Sequence, residues 1–597
     1  MSMDVGRNQS SSRAYENTEV GTEVHHRRND SMQPSEGLGI STRFRNDPEA
    51  TPVRNQFNIK PQPVTWMSLP RKDQLAILFF SRLVDFLQVA SLQAYMFYQL
   101  KSFDPGLSDA AISSQAGILQ GCFTGAQVAT AMLWGKAADS SLGGRKMVLL
   151  IGLAGTAVSC IGYGFSTTFW QAAMFRVLGG GINGTVGIIR TMIAEITKEK
   201  KYQSRAFLLL PMSFNVAGIL GPVMGGLLAD PTNTLPGLFG ENAVFGAQWL
   251  RAYPYALPSI LNALTLTISA ALVFFFLEET LKERKGKYDL GLDLAQRMLG
   301  ALPFRSQNRG YELVDEHTPT QLEQNTEDPF KPKAGTTTRR ITHKLPFHRI
   351  WTRNVIFTLI TTAFFDFHVG GFTNIWSLFL STPRPLPEET VTSLPFIFSG
   401  GLAMPAATVG LATSILGLLG MILQIFLYPP VQARLGTLGS FRLFCMLFPI
   451  AYMFAPYLAV LPSSTAPPKP AAGGFIWTGI TLVLLLQVAA RTFALPATII
   501  LINNCSPHPS VLGTVHGLGQ SVSASFRTIG PIVGGIWYGG GLKSGAVGAA
   551  WWGIAAAAAA GSVTALWVYE GSGHEIFLEG ELEEGDEMEM AGVHGAK

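Results

Sequence analysis

An all-α polytopic membrane protein, with twelve spanning helices in two pseudo-symmetric bundles of six, is the fold class this sequence predicts. Three observations predict it. Only 14% of the 597 residues are charged against 47% hydrophobic, whereas soluble domains carry about 25% charged residues, so this chain is too poor in charge to cover a soluble surface. The apolar residues fall into twelve runs of about 20 residues or more, each long enough to cross a bilayer, with six on either side of a polar segment. Finally, Gly221-Pro222-Val223-Met224-Gly225-Gly226 nearly recurs as Gly530-Pro531-Ile532-Val533-Gly534-Gly535, which reads as two related halves.

Taken in order, residues 1–70 are rich in Ser, Asn, Arg, Glu and Pro without an apolar period. They read as a disordered cytosolic tail with no cleavable signal. A first bundle, 71–281, holds runs at 75–100, 117–134, 147–165, 169–196, 206–228 and 253–277. Residues 282–350 read as a cytosolic loop. A second bundle, 351–569, holds runs at 355–380, 402–428, 441–461, 475–501, 511–538 and 549–569, and 570–597 read as an acidic cytosolic tail. Short loops on one side carry Lys136, Arg145, Lys146, Lys198, Lys200, Lys201 and Arg434. Those on the other carry Lys101 and Arg251. The positive-inside rule therefore puts both termini and the central loop in the cytosol. The four cysteines, Cys122, Cys160, Cys445 and Cys505, lie in or beside apolar runs without metal-ligand spacing. Neither a disulfide framework nor a metal site is expected.

Charges inside the runs mark the interior, because a charge at mid-bilayer costs roughly 2.5–3.5 kcal/mol unless it faces a cavity or a partner. Run 1 has Arg82 and Asp85, run 4 has Arg176, Arg190 and Glu195, and run 7 has Asp366 with His368. Run 10 has Arg491, and run 11 has Arg527 and His516. Asp85, Arg176, Asp366 and Arg491 are the strongest candidates for a cavity lining. Arg82, Arg190 and Glu195 are also near enough to the interface to snorkel, and Arg527, three residues before the second Gly-Pro repeat, reads equally as a packing partner or a substrate contact. His368 lies two residues after Asp366, so on a helix it points to another side. It reads as a proton carrier or as a hydrogen-bonded structural histidine. The Gly-Pro repeats hold no ionisable side chain. Small residues let membrane helices approach closely, so Gly221, Pro222, Gly225, Gly530, Pro531 and Gly534 read as a packing and bending element.

Four stretches carry a family resemblance. They are Leu133-Trp134-Gly135-Lys136-Ala137-Ala138-Asp139 through Gly144-Arg145-Lys146; Arg176-Val177-Leu178-Gly179-Gly180-Gly181-Ile182-Asn183-Gly184; Phe214–Leu228; and Tyr428-Pro429-Pro430-Val431-Gln432-Ala433-Arg434-Leu435-Gly436. With them the chain resembles a major facilitator superfamily transporter and is similar to fungal drug:proton antiporters and zinc-induced-facilitator-like members. The resemblance implies that Gly135, Asp139, Gly144 and Arg145 latch the halves in one conformation. Two departures stand out: Ser140 replaces a basic residue in that loop, and Phe86 stands where a proline commonly follows the acid. It further implies that Arg176 serves coupling or substrate binding, and that the last stretch is a cytosolic loop after the eighth helix.

The expectation is a secondary active transporter that exports a small organic solute against protons by alternating access. Asp85, Asp366 and His368 are the proton-coupling candidates, and Arg176, Arg491 and Arg527 the substrate or charge-partner candidates. A plasma or vacuolar membrane, function as a monomer, and the solute, protons and bilayer as partners are expected, with no nucleic acid, cofactor or metal. The alternative is a non-transporting sensor on the same fold, signalling through its tails. No nucleophile–base pair or phosphate-binding glycine loop suggests an enzyme.

Overall fold

The computed structural model describes residues 69–300, 345–386, 392–571 and 574–576, apart from breaks at 141–142, 198–201, 203–205, 241–242, 244–247, 282–283 and 285–287. Most of the two expected tails and of the central loop lies outside the described residues. The first half is built from α1 (Lys72–Phe103), α2 (Asp109–Asp139), α3 (Arg145–Gly164), α4 (Phe169–Ile182) with α5 (Thr185–Ile196), α6 (Leu209–Leu228) and α7 (Ala256–Phe276). After α8 (Leu290–Gly300), the second half follows as α9 (Arg353–Ser381), α10 (Ala406–Ile422), α11 (Tyr428–Cys445), α12 (Leu447–Phe454), α13 (Gly474–Asn504), α14 (Leu512–Lys543) and α15 (Gly548–Thr564).

Three elements differ from the sequence expectation. Span four breaks at Asn183-Gly184, where α4 ends and α5 begins. The stretch read as a loop after span eight is helical. A π-turn at Leu423–Leu427 precedes Tyr428, and Pro429 and Pro430 occupy the first turn of α11, where a missing N–H costs little. The chain reverses instead at Gly436, with φ 67° inside α11, a conformation glycine adopts without a Cβ clash. Inside the expected central loop, α8 forms, with Leu290, Leu294 and Met298 exposed on one face and Ala295 buried.

Packing defines how the halves meet. On the side away from the described ends of the chain, one apolar core runs through both halves, joining Leu92, Tyr95, Phe97 and Ile112 to Phe372, Trp376, Phe398 and Trp551. On the terminal side there are two separate cores. One gathers Leu78, Leu149, Ile189 and Leu266 in the first half, and the other gathers Val355, Ile502, Val511 and Val515 in the second. The core shared by the halves thus closes the far side, and in the second half it continues to Leu501 and Val568, while each smaller core on the terminal side belongs to one half.

The glycine repeats sit in that seal. In the first half α6 lies between α1 and α10: a Cβ on Gly225 would fall 2.2 Å from the Ser91 carbonyl oxygen, and one on Gly226 would fall 2.3 Å from that of Ala406. In the second half α14 lies between α9 and α2. There a Cβ on Gly530 would fall 2.3 Å from the Phe367 carbonyl oxygen, and one on Gly535 would fall 2.5 Å from that of Ser113. Each repeat thus faces its own half with its earlier glycines and the opposite half with its last. Close backbone approach replaces the hydrophobic effect, which has little to offer between helices already in lipid.

Candidate functional site

The site is assembled from α1, α5, α6, α9, α13 and α14 around the divided side of the bundle. Asp85 on α1 is buried and receives three groups. Arg82 pairs with it one turn away, Asn183 Nδ2 donates at 2.6 Å, and Thr185 Oγ1 donates at 3.2 Å. Asn183 is the C-cap of α4 and Thr185 the first residue of α5. One carboxylate therefore holds both sides of the break in span four. Each hydrogen bond to a charged group is worth roughly 1.5–3 kcal/mol.

The second half repeats the device. Asp366 on α9 is buried and accepts from Arg527 Nη2 of α14 at 3.1 Å, and the same nitrogen donates to Ser523 Oγ at 3.0 Å. Arg527 lies one turn before Pro531, so this carboxylate too is tied beside a weak point of its helix, where proline removes a backbone hydrogen bond. The Arg527 side chain is 56% exposed at mid-helix. Gln520, Ser521 and Ser525 on the same helix are also exposed, so this stretch of α14 borders a polar vestibule that opens on the terminal side.

The other basic candidates make no ion pair among the described residues. Arg176 on α4 is buried, donates to Gln88 Oε1 at 3.5 Å and lies 4.3 Å from the centre of the Phe123 ring, and its Nε has no hydrogen-bond partner. Arg491 on α13 lies 4.2 Å from the centre of the Phe214 ring of α6. Phe214 meets Phe86 edge-on at 4.9 Å, and Arg82 stacks on Phe86 at 3.7 Å. Phe86, where a proline was the commoner residue, thus becomes part of the wall.

His368 is placed away from this group. Its Nδ1 bonds the Tyr452 hydroxyl at 3.1 Å, and its ring packs on Phe365 and Phe448. His368→Gln is expected to lower the melting temperature by roughly 1–3 °C, the shift that ~1–2 kcal/mol of lost packing gives a protein of several hundred residues. The pH dependence of flux should be unchanged, and a shifted pH profile would return His368 to the coupling role.

The loop between α2 and α3 is tied within the first half. Arg145 pairs with Asp139 and, at 3.3 Å, with Glu195. Gly144, with φ 81°, is the N-cap of α3. Ser140 Oγ donates to the Ala137 carbonyl at 2.7 Å and accepts from the Gly143 N–H at 2.9 Å, so the residue that departs from the family pattern shapes the turn. Among the described contacts of Asp139 none reaches the second half, and its side chain is 68% exposed. Gly135 has open space where a Cβ would go.

Sequence reasoning missed Glu279. Its carboxylate accepts the backbone N–H groups of Arg145 and Lys146, each at 3.1 Å, at an α3 N-terminus that has no acid of its own in its first turn. An acceptor there satisfies open donors and the helix dipole. Glu279→Ala is expected to destabilise the protein by about 1–2 kcal/mol, read as a lower melting temperature with unchanged solute affinity. Asn183, Thr185 and Phe214 were also missed. Only Asn183 carried a signal, as a polar residue in a glycine-rich span.

Comparison with known proteins decides what this architecture is. Residues 75–467 match the family model of the Major Facilitator Superfamily. The chain belongs to that superfamily. It is an integral multi-pass membrane transporter with the twelve-helix fold, and the superfamily is one of transporters rather than enzymes. It is 30% identical over 533 residues to the major facilitator superfamily multidrug transporter mfsB of Aspergillus fumigatus, covering 85% of this chain and 84% of that one. It is 24% identical to the protein ZINC INDUCED FACILITATOR 1 of Arabidopsis thaliana, over 78% of this chain and 83% of that one. Among solved structures, the D-xylose-proton symporter superposes with TM-score 0.56 at 12% identity, over 85% of this chain and 99% of that one, a likeness of fold alone.

Proposed function

We propose that this transporter exports a small organic solute from the side bearing its termini, the cytosol, in exchange for protons. The observation that carries the reading is the pair of buried carboxylates, Asp85 and Asp366, one in each half, each tied to an arginine and lying beside a helix break or a helix proline. A proton on Asp85 removes the charge that holds Arg82, Asn183 and Thr185, and so loosens the joint between α4 and α5. A proton on Asp366 frees Arg527 next to Pro531. Proton occupancy is thereby coupled to the angle of two helices, which is what alternating access requires. The name of one relative, the efflux pump azaK of Aspergillus niger, 25% identical over 459 residues, supports the export direction. Arg176, buried beside Gln88 in the same half as Asp85, serves as a charge partner in this reading, and the protein works as a monomer.

The test is flux in proteoliposomes under an imposed pH gradient, with the wild type, Asp85→Asn and Asp366→Asn. Loss of pH-driven flux with retained solute counterflow supports the reading. Unchanged pH-driven flux in both variants removes these carboxylates from coupling.

A further inference from the structure

The vestibule holds more positive charge than its carboxylates neutralise. Arg82, Arg190, Arg491 and Arg527 surround it, against Asp85 and Asp366. The two carboxylates are taken by Arg82 and Arg527. Among the described residues no carboxylate lies within ion-pair distance of Arg190 or Arg491. Arg190 lies within electrostatic range of Arg82 and Arg527, and Arg491 within range of Arg527 and of Asp366, the acid that Arg527 already binds. An excess of positive charge of this kind repels a further cation and attracts an anion.

Beside this charge lies an aromatic surface. Arg491 rests on the Phe214 ring, Phe214 meets Phe86, and Phe86 carries Arg82. The chain of contacts crosses from α13 of the second half to α6 and α1 of the first. The rings supply a flat apolar wall and the arginines supply forked donors for a carboxylate. Arg491 is half-buried, and the contact that the structure gives it is the Phe214 ring face, so its guanidinium N–H groups are free to take an acid.

We propose that the vestibule binds an organic anion, an aromatic carboxylate whose acid group is held by Arg491 while its ring lies against Phe214 and Phe86. The proposal rests on the transporter reading above and names its substrate class. Because Phe214 and Arg491 come from opposite halves, such a ligand touches both, and its binding biases how the halves close.

Three probes of one shape and different charge test it on the full chain in nanodiscs without any proton gradient: 2-naphthoate, its neutral amide, and 2-naphthylmethylammonium. Binding is read by isothermal calorimetry and by thermal shift. The expected result is measurable affinity for naphthoate, at least tenfold weaker binding of the amide, and none of the cation. Arg491→Gln should weaken naphthoate at least tenfold, and Arg491→Lys should recover part of that loss. Equal binding of all three probes, preference for the cation, or no binding of naphthoate overturns the proposal, and these outcomes need no variant to fold. The proton-coupling reading is not touched by them, since its failure shows only in gradient-driven flux of the Asp85 and Asp366 variants.

Discussion

Asp85→Asn is expected to lower pH-driven flux by on the order of 100-fold while the protein still inserts and still exchanges solute. The carboxamide has nearly the shape of the carboxylate, so the packing around it is kept. What changes is charge and donor count. One oxygen becomes an NH₂ group, and it must face either Arg82 or the Asn183 amide nitrogen, both of which donate to Asp85. Losing one charge-assisted bond of about 1.5–3 kcal/mol corresponds to roughly ten- to a hundred-fold in the population that keeps the α4–α5 joint closed. The amide also takes no proton in the working pH range, so no gradient acts on that joint. Asp366→Asn is expected to abolish the gradient response with a smaller effect on conformation. Arg527 is largely exposed, and water can satisfy it when its partner is lost. The comparison is read from counterflow beside pH-driven flux in the same vesicles. Loss of both modes together would show a general folding defect rather than coupling.

How far the sequence alone reached follows the range of the interactions. The spans were legible because each is a local composition signal, and Arg82–Asp85 was legible in principle because three residues on a helix share a face. The Arg527–Asp366 bond was not, since the two residues are separated by 161 positions and only the packing of α14 on α9 brings them together. The break of span four at Asn183-Gly184 had a compositional sign, but its function became visible only when Asp85 was found bonded to both of its sides. Tyr428-Pro429-Pro430, a loop by the family resemblance, is helical instead: the two prolines are tolerated in the first turn of a helix, and a π-turn precedes them. Glu279 looked like one more acid in a polar segment. Its role at the start of α3 depends on where the chain returns after α7. The repeat around Gly221 and Gly530 was legible as a packing element, though not the detail that its last glycine, Gly226 or Gly535, faces the opposite half while the earlier ones face their own.

That detail separates two kinds of substitution in the repeat. Gly535→Leu is expected to reduce transport at least tenfold for every solute alike, by denying the far-side seal. A Cβ there would lie 2.5 Å from the Ser113 carbonyl oxygen and 3.1 Å from the Gly117 Cα. Both are backbone atoms of α2, which cannot turn aside as a flexible side chain does. Overpacking of this kind costs about 1–3 kcal/mol even in cores that relax. Here the strain exists only in the state where α2 and α14 touch, so it shifts the population toward the conformation open on the far side. Gly226→Leu, facing Ala406 of α10, should act the same way on the opposite flank. Gly221→Leu differs, because its nearest neighbours are Ala90 Cβ at 2.7 Å and the Ser91 nitrogen at 3.0 Å, both in its own half. It should strain that half in every state, lowering stability and transport together without changing which solutes are recognised. Distances between spin labels on the far-side ends of α2 and α14 read the first effect directly, with Gly535→Leu expected to broaden them toward longer values and Gly221→Leu to leave them near the wild type. Unchanged far-side distances in Gly535→Leu, or a change of substrate preference in any of the three, would move this repeat from the seal into the binding site.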